Sequence, residues 1–198
     1  MQMGRPARFT TPQFVDATKR LVARGGPAAA TIAAIADEAG APVGSIYHRL
    51  RSRELLLAEL WLEVVEDFQQ GFFAALSEGD TRAAGLTAAL HGPRWARKHP
   101  TEARVLLLHR REEFLSGDWP PEVAARAKRL GSDMDRAIRD FTRRSLGRAT
   151  GANLRRVKFA IADVPLAAVR RHVADGERPP DIVDDLIRET YRAVLAVR

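Results

Sequence analysis

The chain has no cysteine among its 198 residues. Disulfides, thiolate metal sites and a cysteine nucleophile are therefore excluded. Aromatic residues are sparse, at 7%, and there are three methionines. No apolar run reaches the length of a signal peptide or a membrane span. Runs of β-branched residues with a period of two are missing, which argues against strands. Both common glycine patterns of phosphate loops are absent, as is an HExxH pair, and the five histidines are scattered. No serine lies in a glycine-flanked elbow. Catalysis is therefore not expected, no cofactor is implied, and a cytoplasmic protein is the default.

Charge is present in quantity. There are 32 Lys and Arg against 25 Asp and Glu, a net charge of +7. Its distribution is uneven. Residues 1–53 hold eight basic against three acidic side chains, whereas residues 54–198 hold 24 against 22. A localised basic segment is the electrostatic footprint of a nucleic-acid module. With 45% hydrophobic residues, the chain is long enough for one core, or for a small domain docked on a larger one.

Apolar residues recur at three- and four-residue spacing, interrupted by Gly, Pro and Asp. The pattern predicts an all-α protein of nine helices, over about 12–24, 32–39, 43–49, 53–76, 81–98, 101–115, 122–146, 152–174 and 181–197. Thr11, Thr31, Ser52 and Asp80 are the expected N-caps. Pro165 lies inside the eighth helix, where it removes a backbone donor and predicts a kink or a split.

Residues 31–50 carry the most specific signal. Two short helices meet at Gly40, which supplies the left-handed backbone of a sharp reversal. Ala36 is small where helices must cross closely, and Ile32, Ile35, Ala39 and Ile46 face inward. This is the pattern of a helix-turn-helix. It leaves Val43, Gly44, Ser45, Tyr47, His48 and Arg49 outward, on a tip that fits a major groove. Arg5 and Arg8 precede it as a basic arm, and Arg49, Arg51 and Arg53 bracket it.

Over about residues 10–57 the sequence resembles the TetR/AcrR regulators. The resemblance is carried by Ile35-Ala36, Ala39-Gly40, Gly44-Ser45-Ile46-Tyr47-His48 and Ser52-Arg53-Glu54-Leu55-Leu56. It implies a three-helix DNA-binding domain at 1–53 and a ligand-binding and dimerisation domain at 54–198. It implies phosphate contacts from Tyr47, Thr31 and Arg53, the last standing where the family usually has lysine. Val43, Gly44, Ser45 and His48 fall where base contacts arise. Three departures stand out. Pro42 replaces a Ser or Thr cap, Leu50 replaces an aromatic, and Ala33 and Ala34 leave the second helix without a long polar reader.

In the larger domain, the resemblance implies an apolar pocket. Trp61, Phe68, Phe72, Trp95, Phe114 and Phe141 are the candidate walls, with His91 and His109 as candidate polar groups. The last two helices carry apolar stripes, and their family equivalents form a four-helix bundle between two subunits. Leu154, Val157, Ile161, Val164, Ile182, Leu186, Tyr191 and Leu195 are the candidate dimer contacts. The expected partners are an operator in double-stranded DNA, a small apolar or amphipathic effector, and a second copy of the chain. No membrane or metal is expected, and the setting is the nucleoid. Repression is the family's commoner behaviour. The alternative is a helical small-molecule-binding or interaction protein that has lost specific DNA binding.

Overall fold

The computed structural model describes residues 9–47, 52–115 and 119–195. The first helix, α1 (Thr11–Gly25), begins one residue earlier than Pro12 suggests, because Thr10 rather than Thr11 is its cap. The Thr10 backbone N–H donates to the Gln13 side chain at 2.8 Å. A short 3₁₀ turn (Pro27–Ala29) leads to α2 (Ile32–Glu38) and α3 (Val43–Tyr47).

Helix α4 (Arg53–Ser77) follows, capped by Ser52, which accepts from the Leu55 N–H at 3.1 Å. Its 25 residues span about 38 Å at the α-helical rise. Leu57, Leu60, Trp61, Leu62 and Val64 lie on several sides of it, and all are buried. A helix that is apolar nearly all round belongs in the middle of a bundle. Accordingly α4 packs on α1, α5 (Thr81–Lys98), α6 (Pro100–Leu108), α7 (Arg111–Phe114) and α8 (Pro121–Leu146). Asp80 caps α5 by accepting from the N–H groups of Arg82 and Ala83 at 2.8 and 3.0 Å.

The single helix expected over 101–115 is two. His109 and Arg110 are extended, and α7 is one turn. The Arg110 N–H finds its acceptor in Glu113 at 2.6 Å, so the break is stabilised by a local cap. The C-terminal third comprises α9 (Gly151–Lys158), a π turn (Phe159–Asp163), α10 (Val164–Asp175) and α11 (Ile182–Leu195). From α9 to α10 the rod is continuous. The effect of Pro165 is thus a widened turn rather than a split. Its missing N–H and bulky ring are accommodated where the i−4 bond would have run. The described residues contain no strand. None of the described helices is long and apolar enough to cross a membrane.

Candidate nucleic-acid interface and internal cavity

The helix-turn-helix is built on three buried side chains. Ile35, Ala36 and Ile46 share one core with Phe14 and Ala17 of α1. Gly40 takes φ +62°, and the chain reverses through hydrogen bonds from Gly40 N to Asp37 O (3.0 Å) and from Ala41 N to Ala36 O (2.9 Å). Positive φ costs an L side chain about 1–2 kcal/mol, so glycine is the apt residue here. Ile32 and Ala39 are half-buried against the same core.

An ion clamp not evident in the sequence holds α2 to α1. Glu38 accepts from Arg20 at 2.6 Å and from Arg24. The Arg20 hydrogen bond first, and that of Arg24 second, hold the Glu38 carboxyl below the usual carboxylate range. A depressed folded-state value stabilises above the ordinary value of 4.5 and is lost as pH falls through the depressed one. Glu38→Gln should therefore lower the melting temperature at neutral pH. The deficit should shrink when both proteins are melted at pH values stepped down through the depressed value and below it. A deficit that persists there would rule out the clamp as its cause.

On the opposite side of this scaffold, Val43, Gly44 and Tyr47 are exposed and Ser45 is half-buried. Tyr47 is 62% exposed, so its phenol projects clear of the fold. Thr31 caps α2 by accepting from the Ala34 N–H at 3.1 Å. That leaves its hydroxyl proton to donate outward. Arg53 is engaged within the fold. Its guanidinium donates to Ala30 O at 2.7 Å and Pro27 O at 2.5 Å, tying the start of α4 to the loop between α1 and α2. Arg5, Arg8, His48 and Arg49 lie outside the described residues.

Beyond α4, a lysine, an arginine and a histidine join the helix-turn-helix to the rest. Lys19 of α1 pairs with Glu102 of α6 at 3.0 Å. Arg104 of α6 donates to Ala23 O near the end of α1 at 2.6 Å. It also donates to Val173 O near the end of α10 at 2.7 Å. The His109 ring lies so close to Gly26 that a Cβ there would meet it at 3.2 Å.

An internal cavity of about 210 Å³ opens between α4, α5, α8 and the π turn. Phe68 and Phe72 form one wall, Met134 and Ile138 another, and Ile161 and Leu166 a third. Lys158 and Asp163 line it too, with 3.8 Å between Nζ and Oδ1. Of the eight residues expected to line a pocket, Phe68 and Phe72 do so. The others have packing roles elsewhere. Trp61 stacks on Phe114 at 4.9 Å between ring centres, and Phe141 is fully buried beside Gly85. Trp95 donates to Asp67 at 2.7 Å. The His91 ring nitrogen lies 2.9 Å from Phe68 O, and burial lowers its pKa, keeping the ring neutral. His109 faces Gly26 and Glu113.

The expected dimer stripe divides in the same way. Val157, Ile161 and Tyr191 are buried within the protomer. The Tyr191 hydroxyl donates to Arg82 O at 3.0 Å, and burial pushes its pKa up to about 12. Leu154, Val164 and Leu195 are half-buried. Ile182 and Leu186 are 58% and 55% exposed. Phe159, which the sequence reading passed over, is 48% exposed beside the same stripe. It lies two residues after the buried Val157, and so on the other side of the helix. No group of three or more metal-ligating side chains occurs among the described residues.

Residues 14–60 match the family model for bacterial regulatory proteins of the tetR family. No curated protein matches the chain. Among solved structures, a TetR-like regulator from Rhodococcus sp. RHA1 is 20% identical, with a TM-score of 0.71 over 98% of this chain and 100% of that one. A putative tetR-family regulator from Shewanella sp. PV-4 is 21% identical, with a TM-score of 0.70 over 96% and 100%. The regulator FadR from Bacillus subtilis, solved with stearoyl-CoA, is 15% identical, with a TM-score of 0.69 over 94% and 98%. These likenesses show the same fold from end to end. Residues 14–60 thus carry the helix-turn-helix that the model for bacterial regulatory proteins of the tetR family describes, and the chain as a whole has the fold of these three solved regulators.

Proposed function

We propose that the protein is a ligand-responsive transcriptional regulator that binds a palindromic operator as a dimer, with repression as its working mode. The observation that carries the DNA-binding half is the α3 face. Val43, Gly44 and Tyr47 stand outward, with Ser45 half-buried among them, on a reversal whose underside is buried. Ser45 hydrogen-bonds base edges and Val43 meets a thymine methyl. Tyr47 and Thr31 donate to phosphates, with Arg5, Arg8, His48 and Arg49 adding contacts around them. Such a protein works in the cytoplasm, at the nucleoid.

The second copy is supported by Ile182, Leu186 and Phe159, exposed apolar side chains near the C-terminal end of the fold. Leu154, Val164 and Leu195 add to that face. A two-fold pairing here sets two α3 helices against half-sites about 34–36 Å apart, or a multiple of that. The effector site is the cavity against α4. That helix runs from Arg53, beside the helix-turn-helix, to Phe68 and Phe72 in the cavity wall. An effector releases DNA to the extent that it favours the state with mis-spaced α3 helices.

The test is the salt dependence of binding to duplex DNA. Each phosphate contact contributes a slope of roughly −0.9 in log affinity against log salt. Tyr47→Phe should weaken binding with little change in slope, since it removes a neutral donor. Arg53→Met separates two roles. A shallower slope marks a phosphate contact; an unchanged slope with a lower melting temperature marks the tether to Ala30 and Pro27. A flat slope for the unaltered protein would overturn the proposal in favour of a helical carrier without DNA binding.

A further inference from the structure

The cavity has a size, a wall chemistry and one charged edge, and together these select a ligand class. A cavity of roughly 150 Å³ lined by apolar side chains accepts a benzene ring. The 210 Å³ here therefore holds a ring with a short side chain, or an equally short acyl chain. An acyl group as long as stearoyl is too large for it. Phe68 and Phe72 are nearly parallel, 16° apart with centres 6.2 Å apart, which favours a flat or slender body. Gly92 lets Leu166 pack closely on the α5 side, where a Cβ would come within 3.2 Å of it.

The edge carries one charge of each sign, Lys158 and Asp163, and the run of chain before Lys158 is basic. Lys158 lines the cavity, and residues 148–158 hold Arg148, Arg155, Arg156 and Lys158 with no carboxylate among them. The one acidic lining residue, Asp163, sits 3.8 Å from Lys158, a loose pair with both side chains more than half exposed. Such an exposed pair is worth little. A ligand carboxylate can take Asp163's place at Lys158 without breaking a strong bond.

We infer that the cavity binds a compact monocarboxylate, with an aromatic, alicyclic or short acyl body inside and its carboxylate on Lys158. This rests on the cavity's being the effector site.

The test is calorimetry on the full chain with n-alkanoates from butanoate to stearate, 3-phenylpropanoate, 1-octanol and octylamine. Affinity should rise about four-fold per added methylene while the slot fills. It should then stop rising near octanoate, and stearate should not bind. Octanoate should bind at least ten-fold tighter than 1-octanol, and Lys158→Met should abolish that preference while keeping binding of 1-octanol. Ala88→Leu, whose melting temperature checks its fold, should weaken all of these ligands by filling the slot. Affinity that climbs through to stearate, a preference for octylamine, or no binding by any of these probes would overturn the inference. The same titrations are repeated on protein holding DNA selected from a random pool. If octanoate binds as expected and DNA stays bound, the ligand class stands and the effector role fails. If a longer or cationic probe binds and releases DNA, the effector role stands and the ligand class fails.

Discussion

Gly85→Ala should lower the melting temperature by roughly 4–8 °C, at about 2–4 °C per kcal/mol for a chain of this size. Propensity alone argues for the opposite sign. Alanine is about 1 kcal/mol better than glycine inside a helix. Packing reverses this. A Cβ at position 85 would stand closer than 3.0 Å to both the Tyr191 hydroxyl and the Phe141 ring. Both partners are buried, so neither swings away into solvent. Two contacts this short put the overpacking at the upper end of the usual range, about 3 kcal/mol, so about 2 kcal/mol remains after the gain. The cause is checked by a double-mutant cycle. In a Tyr191→Phe background the same substitution should cost measurably less, because one of the two obstructing atoms is gone. A melting temperature that rises in Gly85→Ala would show that α5 and α11 do not approach as described.

Arg104→Met should loosen the helix-turn-helix from the rest of the fold. The substitution keeps an apolar stem and removes only the guanidinium. Two helix ends then lose a cationic donor, at Ala23 O of α1 and Val173 O of α10. Hydrogen bonds from a charged donor are worth about 1.5–3 kcal/mol each. Arg104 is half-buried and its carbonyl partners rehydrate in part, so a total of about 2 kcal/mol is expected. Urea unfolding reads the result. Trp61, Trp95 and Trp119 all lie beyond α3, so their fluorescence reports the larger part, whereas far-ultraviolet dichroism reports every helix. The two curves should coincide for the unaltered protein and separate in the variant, with a lower midpoint by dichroism. Coincident curves with an unchanged midpoint would sink the idea.

The helix-turn-helix was legible because its determinants are local. Ile35, Ala36, Gly40 and Ile46 are close in sequence, and each is the residue type its position requires. Helix ends marked by short-range caps, such as Ser52 and Asp80, were legible for the same reason. The cavity was not. Helical periodicity says that Trp61, Trp95 and Phe141 point inward, but not what they meet. Trp61 meets Phe114, and Trp95 meets Asp67 across 28 residues of chain. A cavity is a place where packing is missing between distant segments, and no short pattern encodes it. The long-range arginine contacts were not legible for the same reason. A long cationic side chain reads as surface or as a phosphate anchor. Yet Arg53, Arg97, Arg104 and Arg144 all donate to backbone carbonyls far along the chain.

The π turn at Phe159–Asp163 is equivalent to one residue too many in an otherwise regular rod. Each residue advances an α-helix by about 100°. Deleting one residue here would therefore let the turn close into ordinary α-helix, with Val169 and Val173 still in the core and the α11 face carrying Ile182 and Leu186 in its present frame. Inserting a further residue has no such outlet and would turn every later side chain by about 100° relative to α9. The segment is thus slack in the rod, open to losing a residue but not to gaining one.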